Sequence, residues 1–289
     1  MQAPARGGSD IEIGTIMERI DIAEILRRRA PRLSRMLPRA AVGWLRDVLH
    51  EAEINSFLHR FRDAGPQQVL GAWLDELCVT CCVEGLDSVP LGGRYLVVAN
   101  HPFGGLDGVA ACHALCCRFG GVRAIVNDLL THIGPLRPLW IPVNKTGAQH
   151  PEYAAIRERA FASDLPVLTF PAGLCSRRTR RGVEDPAWRA SFVRLAERYD
   201  RTILPLYVGG SLSDRFYRAA RLRKALGVKF NFEMLLLADE MFRQRGTRIE
   251  MRVGTPIRPA ELRSLGGDDE RCRMVRRRVY ALAQNTPAL

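Results

Sequence analysis

Apolar positions fall into two textures along the chain. From residue 11 to about residue 86 they recur with helical spacing, interleaved with arginines. From about residue 94 they gather into short Val- and Ile-rich runs at 95–99, 122–126, 139–143, 166–170, 203–208 and 249–253. Stretches at 108–119, 151–162, 187–199 and 232–245 lie between these runs and read as helices, and 268–284 reads as one more basic helix. Strands alternating with helices predict an α/β fold: a largely parallel sheet flanked by helices, with an N-terminal helical extension. The expected division is a flexible tail over 1–9, a helical region over 10–74, and an α/β domain with a C-terminal helix over 75–289.

The segment RLSRMLPRAAVGWLRDVLHEAEINSFLHRF mixes apolar and basic residues. Such a helix can lie in a membrane interface. It can equally pack one face on a core with its arginines in water, and that plainer reading is favoured.

The 289 residues are 47% apolar, enough for a sizeable core. The formal net charge of +12 favours anionic partners: membrane headgroups, nucleic acid or an acidic carrier protein. Lysine occurs only at 145, 224 and 229, so a general preference for arginine would produce the same skew. No run approaches the roughly 20 apolar residues that span a bilayer, and the first ten residues lack the apolar core of a signal peptide. The expectation is a cytoplasmic protein, peripheral on the inner face of the cell membrane. The eight cysteines (78, 81, 82, 112, 116, 117, 175, 272) lie mostly in apolar, helix-like stretches and read as buried free thiols. Cys78 and Cys81 form a C-x-x-C, but no second pair has finger-like spacing, so no metal site is expected.

YLVVANHPFGGLDGVA is the most informative segment. A strand ends at Asn-His-Pro, Phe-Gly-Gly turns the chain, and Leu-Asp-Gly opens a helix. His101 therefore stands at the C-terminal edge of a strand, where open α/β sheets bind ligands. Acyl transfer to a hydroxyl needs a base, and an imidazole held by a carboxylate suits that task at neutral pH. His101 and Asp107 are the residue types required. Each also has an ordinary reading: Asp107 as a helix cap, Gly104 and Gly105 as a turn, His101 as a structural histidine. Their conjunction favours catalysis.

NHPFGGLD resembles the first block of the glycerolipid acyltransferases, the superfamily of 1-acylglycerol-3-phosphate acyltransferase. That block places four residues between His and Asp; here five, 102–106, intervene. The form is similar to the branch that acylates ornithine and glycine lipids. The resemblance implies catalytic His101 and Asp107, with Asn100, Gly104 and Gly105 as substrate-binding positions. It also implies transfer of a fatty acyl chain from acyl carrier protein or acyl-CoA to a lyso-lipid hydroxyl, an amino-acid lyso-lipid such as lyso-ornithine lipid first and lysophosphatidic acid second. No cofactor, metal or nucleic acid enters that chemistry, and the oxyanion would need donors from loop 103–105 or from the loop after Phe170.

PVLTFPAGLCSRR again runs from strand to turn to polar exit. Its arginines suit an anionic headgroup, although a solvated basic loop would look the same. It resembles the family's FPEGTRS block, which implies that Gly173, Ser176 and Arg177 bind substrate. Ala172 stands where that block has Glu. Lys145, after the strand LWIPV, is a further candidate for the headgroup. His113 reads as structural. A hydrolase using Ser176 or Cys175 is disfavoured, because no G-x-S-x-G elbow occurs. A non-catalytic basic module explains the charge but not NHPFGGLDG.

Overall fold

The computed structural model describes residues 19–29, 31–143, 151–180, 182–227 and 236–284. The expected tail over 1–9, Lys145, and the first part of the expected helix 232–245 lie outside the described residues.

The N-terminal region forms α1 (Ile22–Arg29), α2 (Pro31–Met36), α3 (Arg39–Val48), α4 (Glu51–Arg60) and α5 (Pro66–Glu76). Next come β1 (Thr80–Glu84), β2 (Tyr95–Ala99), α6 (Leu106–Phe119), β3 (Arg123–Asn127), β4 (Trp140–Val143) and α7 (Pro151–Ala162). Then follow β5 (Val167–Thr169), β6 (Arg177–Thr179), β7 (Gly182–Glu184), α8 (Ser191–Arg198) and β8 (Thr202–Val208). The chain continues through α9 (Asp214–Ala225), α10 (Leu237–Arg243), β9 (Arg248–Val253), α11 (Pro259–Arg263) and α12 (Asp268–Ala281).

Seven strands form one sheet in the order β1-β9-β8-β2-β5-β3-β4. All neighbours are parallel except β8 and β9. The six expected strands are all present, each within a residue or two of its predicted bounds. β2 is buried along its whole length. Its alternate side chains feed two cores, as the two-residue period of a strand requires. Val97 and Ala99 meet α5 and α6 on one face, while Leu96 and Val98 meet α7, α8 and α12 on the other. A parallel strand covered on both faces reads as an unbroken apolar run, which is how β2 looks in sequence.

Three expectations change. The helical reading to residue 86 fails at β1, which pairs with β9 from Thr80↔Arg248 to Glu84↔Arg252. Cys78 takes a left-handed conformation (φ 51°) just after α5, and the β-branched residues beyond it extend along the sheet edge. Helix α9 lay unseen behind its arginines, and Arg177–Glu184 forms the antiparallel hairpin β6–β7 rather than a loose basic loop. The thiols also divide: Cys112, Cys116, Cys175 and Cys272 are buried, whereas Cys78 and Cys117 are exposed.

One buried cation anchors the layer holding α7. Arg201 is completely buried and donates to the carbonyls of Ala160, Phe161, Ser163, Leu165 and Tyr95. Four of those carbonyls lie at or just beyond the C-terminus of α7, where the helix dipole is negative. Burial pulls the guanidinium down to about 10, still far above neutrality.

Candidate active site

The first motif block leaves the sheet from its central strand. Asn100, expected to touch substrate, is buried, and its amide is spent on β8. Its Nδ2 donates to the Val208 carbonyl at 2.8 Å and its Oδ1 accepts the Val208 N–H at 2.7 Å. The side chain thereby fastens the start of the loop to the neighbouring strand.

The turn that follows depends on glycine at two points. Gly104 has φ +70°, and a Cβ there would lie 2.9 Å from Leu237 Cδ2 and 3.0 Å from Cys175 Cβ. The Phe103 ring lies against Gly210, where a Cβ would come within 2.1 Å of it. Gly105 precedes the first turn of α6 as its N-cap.

This folding brings His101 Nδ1 to 3.0 Å from Asp107 Oδ2. The fifth intervening residue is absorbed by the loop without separating the pair. Asp107 is fully buried. Its Oδ2 also accepts the N–H groups of Phe103 (2.9 Å) and Gly104 (3.3 Å), and its Oδ1 accepts that of Gly108 (2.9 Å). A carboxylate committed to backbone donors is an acceptor towards the ring as well. Nδ1 of His101 therefore bears the proton, and Nε2 presents a lone pair, as a base must. The imidazole stacks on Phe170 (4.2 Å between centroids, 26°) and is 16% exposed. One expectation is corrected here: the N–H groups of Phe103 and Gly104, candidates for the oxyanion, are engaged by Asp107.

The second block folds against the first. Gly173 (φ +64°) closes a tight turn, its N–H donating to the Phe170 carbonyl at 2.9 Å. Ser176, expected to bind substrate, is buried, and its hydroxyl donates to Asp185 Oδ1 at 2.5 Å. Its N–H donates to the His101 carbonyl at 2.8 Å. The half-buried Arg177 guanidinium turns towards Cys175, donating to its carbonyl at 3.2 Å and its Sγ at 2.9 Å, and lies 5.3 Å from the Phe216 ring centroid. Arg178 pairs with Asp214 and stacks over Tyr217. Cys175 is fully buried, and burial pushes its thiol up to about 11. Neither it nor the committed Ser176 hydroxyl is placed as a nucleophile, which removes the structural basis for the hydrolase alternative.

The sequence reading missed Asp185, Trp188 and Tyr280. Asp185 Oδ2 accepts the Trp188 indole N–H at 2.8 Å, and the Asp185 N–H donates to the Tyr280 hydroxyl at 2.7 Å. Burial pushes the Asp185 carboxyl above its usual range, opposed by the Ser176, His101 and Trp188 donors. The signal was a short basic stretch containing Gly182, which folds as a hairpin and returns the chain to Ser176. His113 faces away from the pair, with its ring near Gly71 of α5 and Nε2 3.7 Å from Cys117 Sγ. Among the described residues, no three His, Cys, Asp or Glu side chains converge as metal ligands would.

A family model described as "Acyltransferase" matches residues 24–288. The chain belongs to this acyltransferase family. Two relatives are each 40% identical to it over 239 residues, or 82% of this chain. They are the lyso-glycine lipid O-acyltransferases of Bacteroides thetaiotaomicron, with 88% of its length covered, and of Phocaeicola vulgatus, with 86% covered. Among solved structures, the 1-acyl-sn-glycerophosphate (LPA) acyltransferase PlsC from Thermotoga maritima aligns over 85% of this chain and 97% of that one. The identity is 14% and the TM-score 0.46. The family model and the two relatives bear out the resemblance of NHPFGGLD to an acyltransferase block.

Proposed function

We propose that this acyltransferase moves a fatty acyl chain from a thioester to the hydroxyl of an amino-acid lyso-lipid, with lyso-glycine lipid the leading acceptor. The observation that carries the mechanism is the His101–Asp107 pair, 3.0 Å apart at the C-terminal edge of the central strand. The acceptor hydroxyl donates to Nε2 of His101. The imidazole takes that proton as the oxygen attacks the thioester carbonyl, and Asp107 stabilises the imidazolium through Nδ1. The tetrahedral intermediate then expels the thiolate, which recovers the proton from His101. The ester gains one C–O bond and the donor loses one C–S bond.

The acceptor assignment rests on the two relatives, both named for lyso-glycine lipid and covered over most of their length. Within the amino-acid lyso-lipids expected from the motifs, lyso-ornithine lipid takes second place. Gly104, Gly105 and Gly173 shape the loops around the base, and Arg177 and Lys145 are the side chains assigned to the acceptor headgroup. The donor is acyl carrier protein or acyl-CoA, and an anionic membrane face supplies the acceptor. Exposed Met36 and Trp44 beside Arg35, Arg39 and Arg46 support membrane contact, as does the +12 charge. Among the described residues, no helix is long and apolar enough to cross a bilayer.

The test is transfer of a labelled acyl chain from each donor to lyso-glycine, lyso-ornithine and lysophosphatidic acceptors. His101→Ala runs in parallel, with thermal unfolding as a check on folding. Label entering lyso-glycine lipid only with His101 intact supports the proposal. Preference for lysophosphatidic acid, or full activity in His101→Ala, overturns the acceptor or the base respectively.

A further inference from the structure

The two motif blocks meet at a residue that belongs to neither. In the hairpin, Arg177 pairs with Glu184, Arg178 with Val183 and Thr179 with Gly182. One step further out, Ser176 and Asp185 face each other. Asp185 is 5% exposed. Its Oδ1 accepts both the Ser176 hydroxyl (2.5 Å) and the backbone N–H of His101 (3.1 Å). The backbone of His101 is therefore held at both ends: its N–H by Asp185 and its carbonyl by the Ser176 N–H.

We propose that Asp185 is a positioning residue for acyl transfer, fixing the backbone of His101 through its N–H. Asp107 and Phe170 orient the ring, and Asp185 fixes the Cα from which the ring hangs. A base displaced by about 1 Å loses on the order of 100-fold in rate, so both restraints matter. Ser176 then acts through Asp185 and not by touching substrate. The ionisable and charged groups around Asp185 are His101 from the β2 loop, Glu184 on the hairpin, and Arg276 and Tyr280 from α12. Arg276 donates to the Asp185 carbonyl and to Glu184. Around His101 itself stand Asp107 and Asp185. This inference rests on His101 being the base.

Asp185→Asn keeps the size, removes the charge, and leaves its amide N–H₂ facing at least one of the three donors. Asp185→Asn with Trp188→Phe removes the donor at Oδ2 and relieves that conflict. Ser176→Ala is a milder second variant, which leaves the carboxylate in place. For each folded variant, and for Asp185→Ala, kcat and acceptor KM are measured. Asp185→Ala removes the acceptor of the His101 N–H and is expected to lose about 10- to 100-fold in kcat with acceptor KM nearly unchanged. The double variant, whose amide oxygen keeps that acceptor, is expected to rescue kcat to within about threefold of the parent. Ser176→Ala is expected to lose less kcat than Asp185→Ala. A folded Asp185→Ala protein with kcat within about twofold of the parent, or a folded double variant that loses as much kcat as Asp185→Ala, overturns the proposal. His101→Ala, run alongside, separates the two ideas: activity surviving there sinks the base assignment itself.

Discussion

Replacing Asp107 by Asn tests the pair most sharply. The carboxylate lies 3.0 Å from His101 Nδ1, and the two charge centres are about 4 Å apart once the ring is protonated. At an effective dielectric near 20, that attraction is about 4 kcal/mol. Asparagine removes it, and about 4 kcal/mol of lost transition-state stabilisation is roughly a thousandfold in rate. The hydrogen-bond pattern decides how the amide sits. Three donors converge on Oδ2 and one on Oδ1, so the amide oxygen takes the Oδ2 place and its N–H₂ opposes the Gly108 N–H. That conflict costs about 1–3 kcal/mol of stability. The assay is the initial rate of labelled acyl transfer to the lyso-lipid, with thermal unfolding of the same sample. A folded Asp107→Asn protein with kcat/KM within about tenfold of the parent would refute the assignment of Asp107 as the charge partner.

Gly104→Ala and Gly173→Ala are expected to differ although both sites have positive φ: only Gly104 has neighbours within 3.0 Å of the new Cβ. Gly173→Ala should cost about 1–2 kcal/mol from backbone strain alone, and Gly104→Ala more, with loss of transfer; equal unfolding midpoints would contradict this. Arg201→Met leaves five carbonyls without their donor and should lower stability by at least about 3 kcal/mol, read by denaturant unfolding. Burial raises the Cys175 and Cys81 thiols from 9.0 to about 11. In that window the unfolded chain has released protons that the folded chain retains, so stability falls as pH rises from about 9 to about 11. Replacing both with Ala should lessen that alkaline slope, to which Cys116, also raised to about 11 by burial, still contributes. Thiol alkylation followed by mass spectrometry should modify Cys78 and Cys117 first, leaving Cys112 and Cys175 unmodified until unfolding.

The central strands were legible because burial on both faces demands uninterrupted apolar runs, and β2 has no polar position to confuse with a helix face. His101 and Asp107 were legible because turn chemistry and acid–base chemistry coincide in nine consecutive residues. The strand β1 was hidden because an edge strand is only half covered, and Thr-Cys-Cys-Val-Glu has no clear period. The resemblance assigned Asn100 and Ser176 to substrate, but side chains of that type are equally suited to tying backbones together. Only their partners, Val208 and Asp185, distinguish the roles. Asp185 was beyond reach because its importance arises from a hairpin whose strands are three residues each.

The pairing of β1 with β9 fixes an order of events during synthesis. Their partners are separated by 168 residues, as between Glu84 and Arg252. β1 therefore leaves the ribosome long before β9, its sheet neighbour, exists. At about 5–20 residues per second, that interval is on the order of ten seconds or more. For that time its backbone donors and acceptors stay unpaired, and Val83 and its neighbours wait for the apolar surface that Ile249 and Met251 will provide. A chain halted before residue 248 would keep an open strand edge, the kind of surface on which nascent chains associate with one another.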